Sequence, residues 1–123
     1  MENFEITFRD IQKISVVHLK GYLDAHTAPD FENALQRLIE QEKLFIVINC
    51  SGLHYISSAG LGVFMGVIEN IRSKGGDIKL AELTDKVFRV FDLLGFPVLF
   101  EIFKEETDAV VKFQRSASAD KKS

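Results

Sequence analysis

The sequence has no tryptophan, one cysteine and two prolines in 123 residues. Cys50 has no second cysteine to pair with, so no internal disulfide forms, and a reducing cytoplasm is the expected setting. So few prolines, with only eight glycines, exclude extensive Pro/Gly-rich disorder. No apolar run approaches the roughly 18 residues that span a bilayer. The opening MENFEITFRD is acidic and strand-like, unlike a signal peptide. Neither charge sign dominates: 15 Lys plus Arg stand against 18 Asp plus Glu, a net charge of −3. That balance argues against nucleic acid or an anionic membrane as the main partner. His18, His26 and His54 are scattered along the chain, so no metal site and no cofactor is expected.

What the sequence does have is apolar material. It is 46% hydrophobic, with 11 phenylalanines, enough for the core of one domain. Phe4, Ile6 and Phe8 alternate with Glu5, Thr7 and Arg9, the pattern of a half-buried strand. Asp10 to Gln12 turns the chain into a second strand, Lys13 to Lys20, in a hairpin with the first. Thr27 is placed to cap a helix over Ala28 to Gln41, with Pro29 in its first turn and Phe31, Ala34, Leu35, Leu38 and Ile39 on its apolar face. Leu44 to Ile48 is a continuous apolar run, suited to a central strand buried on both faces, and Asn49 to Ser57 reads as an irregular loop. A helix follows from Ser58 or Ala59 to Lys74, stopped by Gly75-Gly76.

Asp77 to Ala81 alternates as a strand. Thr84 caps a third helix, with Val87, Val90, Phe91 and Leu94 inward and Gly95 as its stop. Val98 to Phe103 reads as the last strand, and Thr107 to about Arg115 as a short amphipathic helix. The polar tail SASADKKS is expected to be disordered, so the domain is expected to occupy residues 1–115 and the tail residues 116–123. The order β-β-α-β-α-β-α-β-α implies a single α/β domain with a mixed sheet of about five strands and about four helices. In such sheets, sites gather beyond the carboxyl ends of the strands. If the second and third strands are parallel neighbours, Asp24 and the pair Ser57-Ser58 share one edge.

The stretch HYISSAGLGVFM, His54 to Met65, concentrates the chemistry. A Walker loop needs a lysine that is missing, and Gly60-x-Gly62-x-x-x-Gly66 lies too far past its strand, with the wrong spacing, for a dinucleotide fingerprint. Gly-x-Ser-x-Gly is absent, and no motif supports a triad of Ser58, Asp24 and His26 or His54. What is left is a serine at a helix start, where free amides and the helix dipole stabilise an anion. The pattern fits both a simple helix cap and a phosphoacceptor. On a helical wheel Leu61, Phe64, Met65, Val67, Ile68 and Ile71 form a core-facing side, and Gly62, Gly66, Glu69 and Asn70 another. Spacing alone leaves two explanations of the glycines open: tight internal packing, or a flat surface that a partner approaches.

INCSGLHYISSAGLGVFMG followed by GGDIKLAELTDKVFRVFDLLGF resembles the anti-sigma factor antagonists of the STAS domain family. Gly21-Tyr22-Leu23-Asp24 matches the family's Gly-x-Leu/Ile-Asp, and Phe91-Asp92-Leu93-Leu94-Gly95 its Phe-Asp-x-x-Gly. The likeness runs from about Phe4 to Phe113. It implies a regulatory binding module rather than an enzyme, whose partner is an anti-sigma factor serine kinase of GHKL type. Phosphorylation of one serine by that kinase breaks the complex, and a PP2C-type phosphatase restores it. Aligned on Gly60-Leu61-Gly62, the phosphoacceptor is Ser58, with Ser57 as second candidate, since Ser57 stands where the family usually has Asp. The implied partner surface comprises Asp24, His26, Thr27, Ser57, Ser58, Gly60, Gly62, Gly66 and Glu69. The alternative is a STAS signalling or transporter-accessory subunit with no phosphorylation cycle.

Overall fold

The computed structural model describes residues 3–122, and side chains as far as residue 116. The elements run β1 (Glu5–Ile11), β2 (Ile14–Leu23), α1 (Ala28–Glu40), β3 (Phe45–Ile56), α2 (Ser58–Ser73), β4 (Asp77–Ala81), α3 (Asp85–Leu93), α4 (Phe96–Leu99), β5 (Ile102–Phe103) and α5 (Glu106–Lys122). Among the described residues five strands form one sheet in the order β1-β2-β3-β4-β5. Strand β1 is antiparallel to β2, and every later neighbour is parallel. The expected mixed sheet and antiparallel first hairpin are therefore present.

Two apolar layers sandwich the sheet. On one face α1, α2, α3 and α4 enclose the larger core, and on the other α5 closes a smaller one around Ile14, Val16, Val47 and Phe113. With no tryptophan available, phenylalanines fill the volume. Phe64 of α2 sits 5.1 Å from Phe31, 5.8 Å from Phe91 and 5.9 Å from Phe100, ring centre to ring centre. The angles are edge-on, the favoured arrangement of aromatic quadrupoles. This cluster fixes α2 against α1 and α3, and so fixes the start of α2 in space.

Several boundaries differ from expectation. The segment Asn49 to Ile56 is strand, not loop, because β2 also continues to Leu23 and gives it a parallel partner. The ladder tolerates shifts between His18 and Lys20 and between Gly21 and Tyr22. Gly21 has φ +97°, and a Cβ there would meet the Asn3 carbonyl oxygen at 2.5 Å, so only glycine serves at that kink. The expected strand Val98 to Phe103 shrinks to Ile102–Phe103, because Phe96–Leu99 form a short helix that buries Phe96. Among the described residues that makes five helices, close to the expected count of about four. Leu94, expected inward on α3, is exposed at its C-cap.

The helix expected to end near Arg115 continues to Lys122, which takes in most of the tail expected to be disordered; residue 123 lies outside the described residues. Residues 116–122 contain no glycine or proline to stop a helix already nucleated upstream.

Candidate functional site

The parallel pairing of Leu23 with Ile56 brings the ends of β2 and β3 side by side. The next residue along, Ser57, donates its backbone N–H to the Leu23 carbonyl at 2.9 Å. Asp24 and the serine pair thus share the carboxyl edge of the sheet, as the topology requires.

The loop from β2 into α1 is held by Asp24. Its Oδ1 accepts the backbone N–H of His26 at 2.9 Å and of Thr27 at 3.2 Å. Its carbonyl accepts the N–H of Ala28 at 2.8 Å. The Thr27 hydroxyl donates to the Tyr22 carbonyl at 2.9 Å and accepts from the Asp24 N–H at 2.9 Å. Thr27 occupies the N-cap position of α1, yet its side chain makes no cap bond to the helix. The loop uses that hydroxyl instead, a local competition common for Ser, Thr, Asn and Asp. His26 is exposed on this loop.

The two serines have different roles. Ser57 is the N-cap of α2, half-buried, and its Oγ accepts the Gly60 N–H at 3.5 Å. Ser58 is the first helical residue and is exposed. Asp24 Oδ1 is engaged by its own loop, and no hydrogen bond among the described residues joins Asp24 or His26 to Ser58. That trio assembles no nucleophile and base.

The glycines also divide. Gly60 faces inward, where a Cβ would stand 2.7 Å from Leu23 Cγ and 3.0 Å from Ile56 Cγ1. It is a packing glycine, not part of the exposed surface. At Gly62 and Gly66 a Cβ would meet nothing within 4 Å. Met65, expected in the core, is 46% exposed. Gly62, Met65, Gly66 and Glu69, all exposed, follow the i, i+3, i+4, i+7 rule of one helix face. That spacing could have shown Met65 as the apolar centre of the glycine side. Between α1 and α2 lies a shallow depression lined by Ala25, Pro29, Glu32, Ala59, Gly62 and Val63, among others. Its alanines carry no chemical signal in the sequence beyond their small size.

Away from this edge, Cys50 is fully buried and its thiol is pushed up to about 12 by desolvation. On the α5 face, Glu106 accepts from Asn49 Nδ2 at 2.9 Å and is ion-paired with Arg9. Burial alone would raise its carboxyl, but the bonds from Arg9 and Asn49 and the charges of Arg9 and His18 outweigh that and hold it below its usual range.

The family model described as STAS domain matches residues 5–109. The anti-sigma-B factor antagonist of Listeria monocytogenes is 33% identical over 100 residues, covering 81% of this chain and 87% of that protein. An anti-sigma factor antagonist from Mycobacterium paratuberculosis has a similar fold, with TM-score 0.82 at 22% identity over 89% of this chain and 93% of that one. The Bacillus cell fate determinant SpoIIAA in its phosphorylated form superposes with TM-score 0.69 at 20% identity, covering 90% and 99% of the two chains. The family model over residues 5–109 and the 33% identity to an antagonist agree: the chain belongs to the STAS domain family, alongside its anti-sigma factor antagonists.

Proposed function

We propose that this protein is an anti-sigma factor antagonist that binds an anti-sigma factor serine kinase of GHKL type and is released by phosphorylation at Ser58. The observation that carries the reading is the division of labour between the serines: Ser57 is occupied as the cap of α2, and Ser58 is exposed beside the open face of Gly62 and Gly66. The sequence similarity to antagonists of known name supports it, as does the occurrence of this fold in a phosphorylated form in SpoIIAA.

The physical mechanism follows from the site. A phosphate adds about −1.5 to −2 charges. At the first turn of α2 it meets backbone N–H groups and the positive end of the helix dipole, so the fold tolerates it. The same charge and bulk stand at the start of α2, next to Ala59 of the hollow between α1 and α2 and on the helix side that carries Gly62 and Gly66, so the effect falls on the complex. Asp24, His26 and Thr27 present the neighbouring loop to that partner, and Glu69 extends the surface two turns along the helix. A PP2C-type phosphatase reverses the modification. Ser57, where the family usually carries Asp, keeps the cap without a carboxylate beside the incoming phosphate.

The test is incubation with ATP and the GHKL-type anti-sigma kinase of the same genome, followed by intact mass and peptide mapping. One phosphate on Ser58 is expected, and none on Ser58→Ala. Stoichiometric phosphate on Ser57 would reassign the acceptor, and no phosphate on either would overturn the switch.

A further inference from the structure

We infer that the outer edge of β1, together with the adjoining side of α1, is a surface for a second copy of this chain, joined antiparallel across a two-fold axis at Thr7. Strand β1 ends the sheet, so its outward backbone groups have no partner strand among the described residues. It is seven residues long, and Phe8 on it is 51% exposed. A long edge with an exposed aromatic is a template for strand addition. The ladder alternates outward from the closing pair Ile11–Ile14, so Ile6 and Phe8 direct their backbone N–H and C=O groups away from β2.

The side chains identify the occupant. Pairing β1 with its own copy about Thr7 puts Glu5 opposite Arg9 of the other copy, Ile6 opposite Phe8, and Thr7 opposite itself. One face of the new pair is charge-complementary and the other apolar, with no like charges opposed. Arg9 already binds Glu106, but a guanidinium has five donors and can hold a second carboxylate.

Helix α1 carries charges that suit a two-fold contact of its own. The groove between β1 and α1 is floored by Ile6, Phe8, Ala34 and Leu38 and flanked by Asp30 and Arg37. An antiparallel α1 pair centred between Asn33 and Ala34 places Asp30 against Arg37 of the other copy, twice. A two-fold interface must be self-complementary in this way. The residues of α1 that face the proposed partner site, Pro29 and Glu32, belong to a different groove, so dimerisation leaves Ser58 open.

Sedimentation equilibrium of the full chain up to millimolar concentration should show a monomer–dimer equilibrium. Asp30→Arg and Arg37→Asp, each alone, should weaken it about tenfold, since two exposed attractions become repulsions, and mixing the two variants should restore a heterodimer. Under mild oxidation Thr7→Cys should cross-link to a dimer, because the axis brings position 7 against itself. Glu5→Cys should not, because positions 5 and 5 of the pair stand four residues apart in register, roughly 13 Å. Circular dichroism should match the parent for every variant, and Asp30→Arg and Arg37→Asp should melt only slightly lower, since each puts the unfavourable charge at one end of α1. A chain that stays monomeric at all concentrations overturns the inference. So does a dimer that is indifferent to the charge changes, or one that cross-links equally at both positions.

Discussion

Gly60 lies over Leu23, so close that a Cβ at position 60 would come within 2.7 Å of Leu23 Cγ. Leu23 is fully buried and ends β2 beside the candidate site. Gly60→Ala must therefore displace a packed side chain, and a loss of about 1–3 kcal/mol is expected in urea unfolding. Gly66→Ala should do the opposite. Nothing lies within 4 Å of its added methyl, and replacing a mid-helix glycine gains about 0.5–1 kcal/mol. If the open face receives a partner, the stabilised Gly66→Ala protein should bind its kinase more weakly, as measured by calorimetry. Unchanged binding would exclude Gly66 from the interface.

The serines should separate in the same experiments. Ser57→Ala removes the cap of α2 and should cost about 0.5–1 kcal/mol, towards the low end of cap deletions, because the bond to Gly60 is long at 3.5 Å. Ser57→Asp should preserve stability, since a carboxylate also caps and suits the helix dipole. Ser58→Ala should leave the melting temperature unchanged while abolishing phosphorylation. Ser58→Asp should fold normally and lose affinity for the kinase; full affinity in a folded Ser58→Asp protein would count against a charge mechanism.

Glu106 predicts a dependence on pH. Its folded carboxyl is held below the usual 4.5 by its bonds and by neighbouring positive charge, despite burial. A depressed carboxyl stabilises the fold above its unfolded titration and loses that contribution as pH falls from about 4.5 towards the folded value. Glu106→Gln keeps an acceptor for Asn49 and loses the charge. It should be less stable than the parent at neutral pH, and the gap should close as urea midpoints are followed into acid. A constant gap at all pH would show that the carboxylate's charge does not matter.

Cys50 should be chemically silent in the native protein. Its thiol is fully buried and raised to about 12, so almost no thiolate exists near neutral pH and reagents cannot reach it. Iodoacetamide should leave it unmodified until denaturant is added, and its alkylation rate then reports the opening of β3.

The elements that were legible in the sequence are those whose apolar pattern is satisfied locally. The alternation in β1, the helical spacing of α1 and the apolar run of β3 each stand in a short window and survive in the structure. The errors fall where a distant segment decides. Asn49 to Ile56 looks irregular on its own and is strand because β2 runs alongside it. Phe96 to Leu99 has strand-like residues and coils because Phe96 and Phe100 reach the aromatic cluster around Phe64.

The site divides along the same line. The sequence by itself determined that a serine pair would open a helix with one glycine-bearing side, because caps and helical periodicity act over four residues or fewer. Spacing alone could not tell the two serines or the three glycines apart, and it was the family resemblance that favoured Ser58. Only the tertiary structure decided that Ser57 caps while Ser58 is exposed, and that Gly60 packs on Leu23 while Gly62 and Gly66 stand open. Which glycine needs room, and which serine faces water, depends on the atoms brought beside it by β2, and those lie more than thirty residues earlier in the chain.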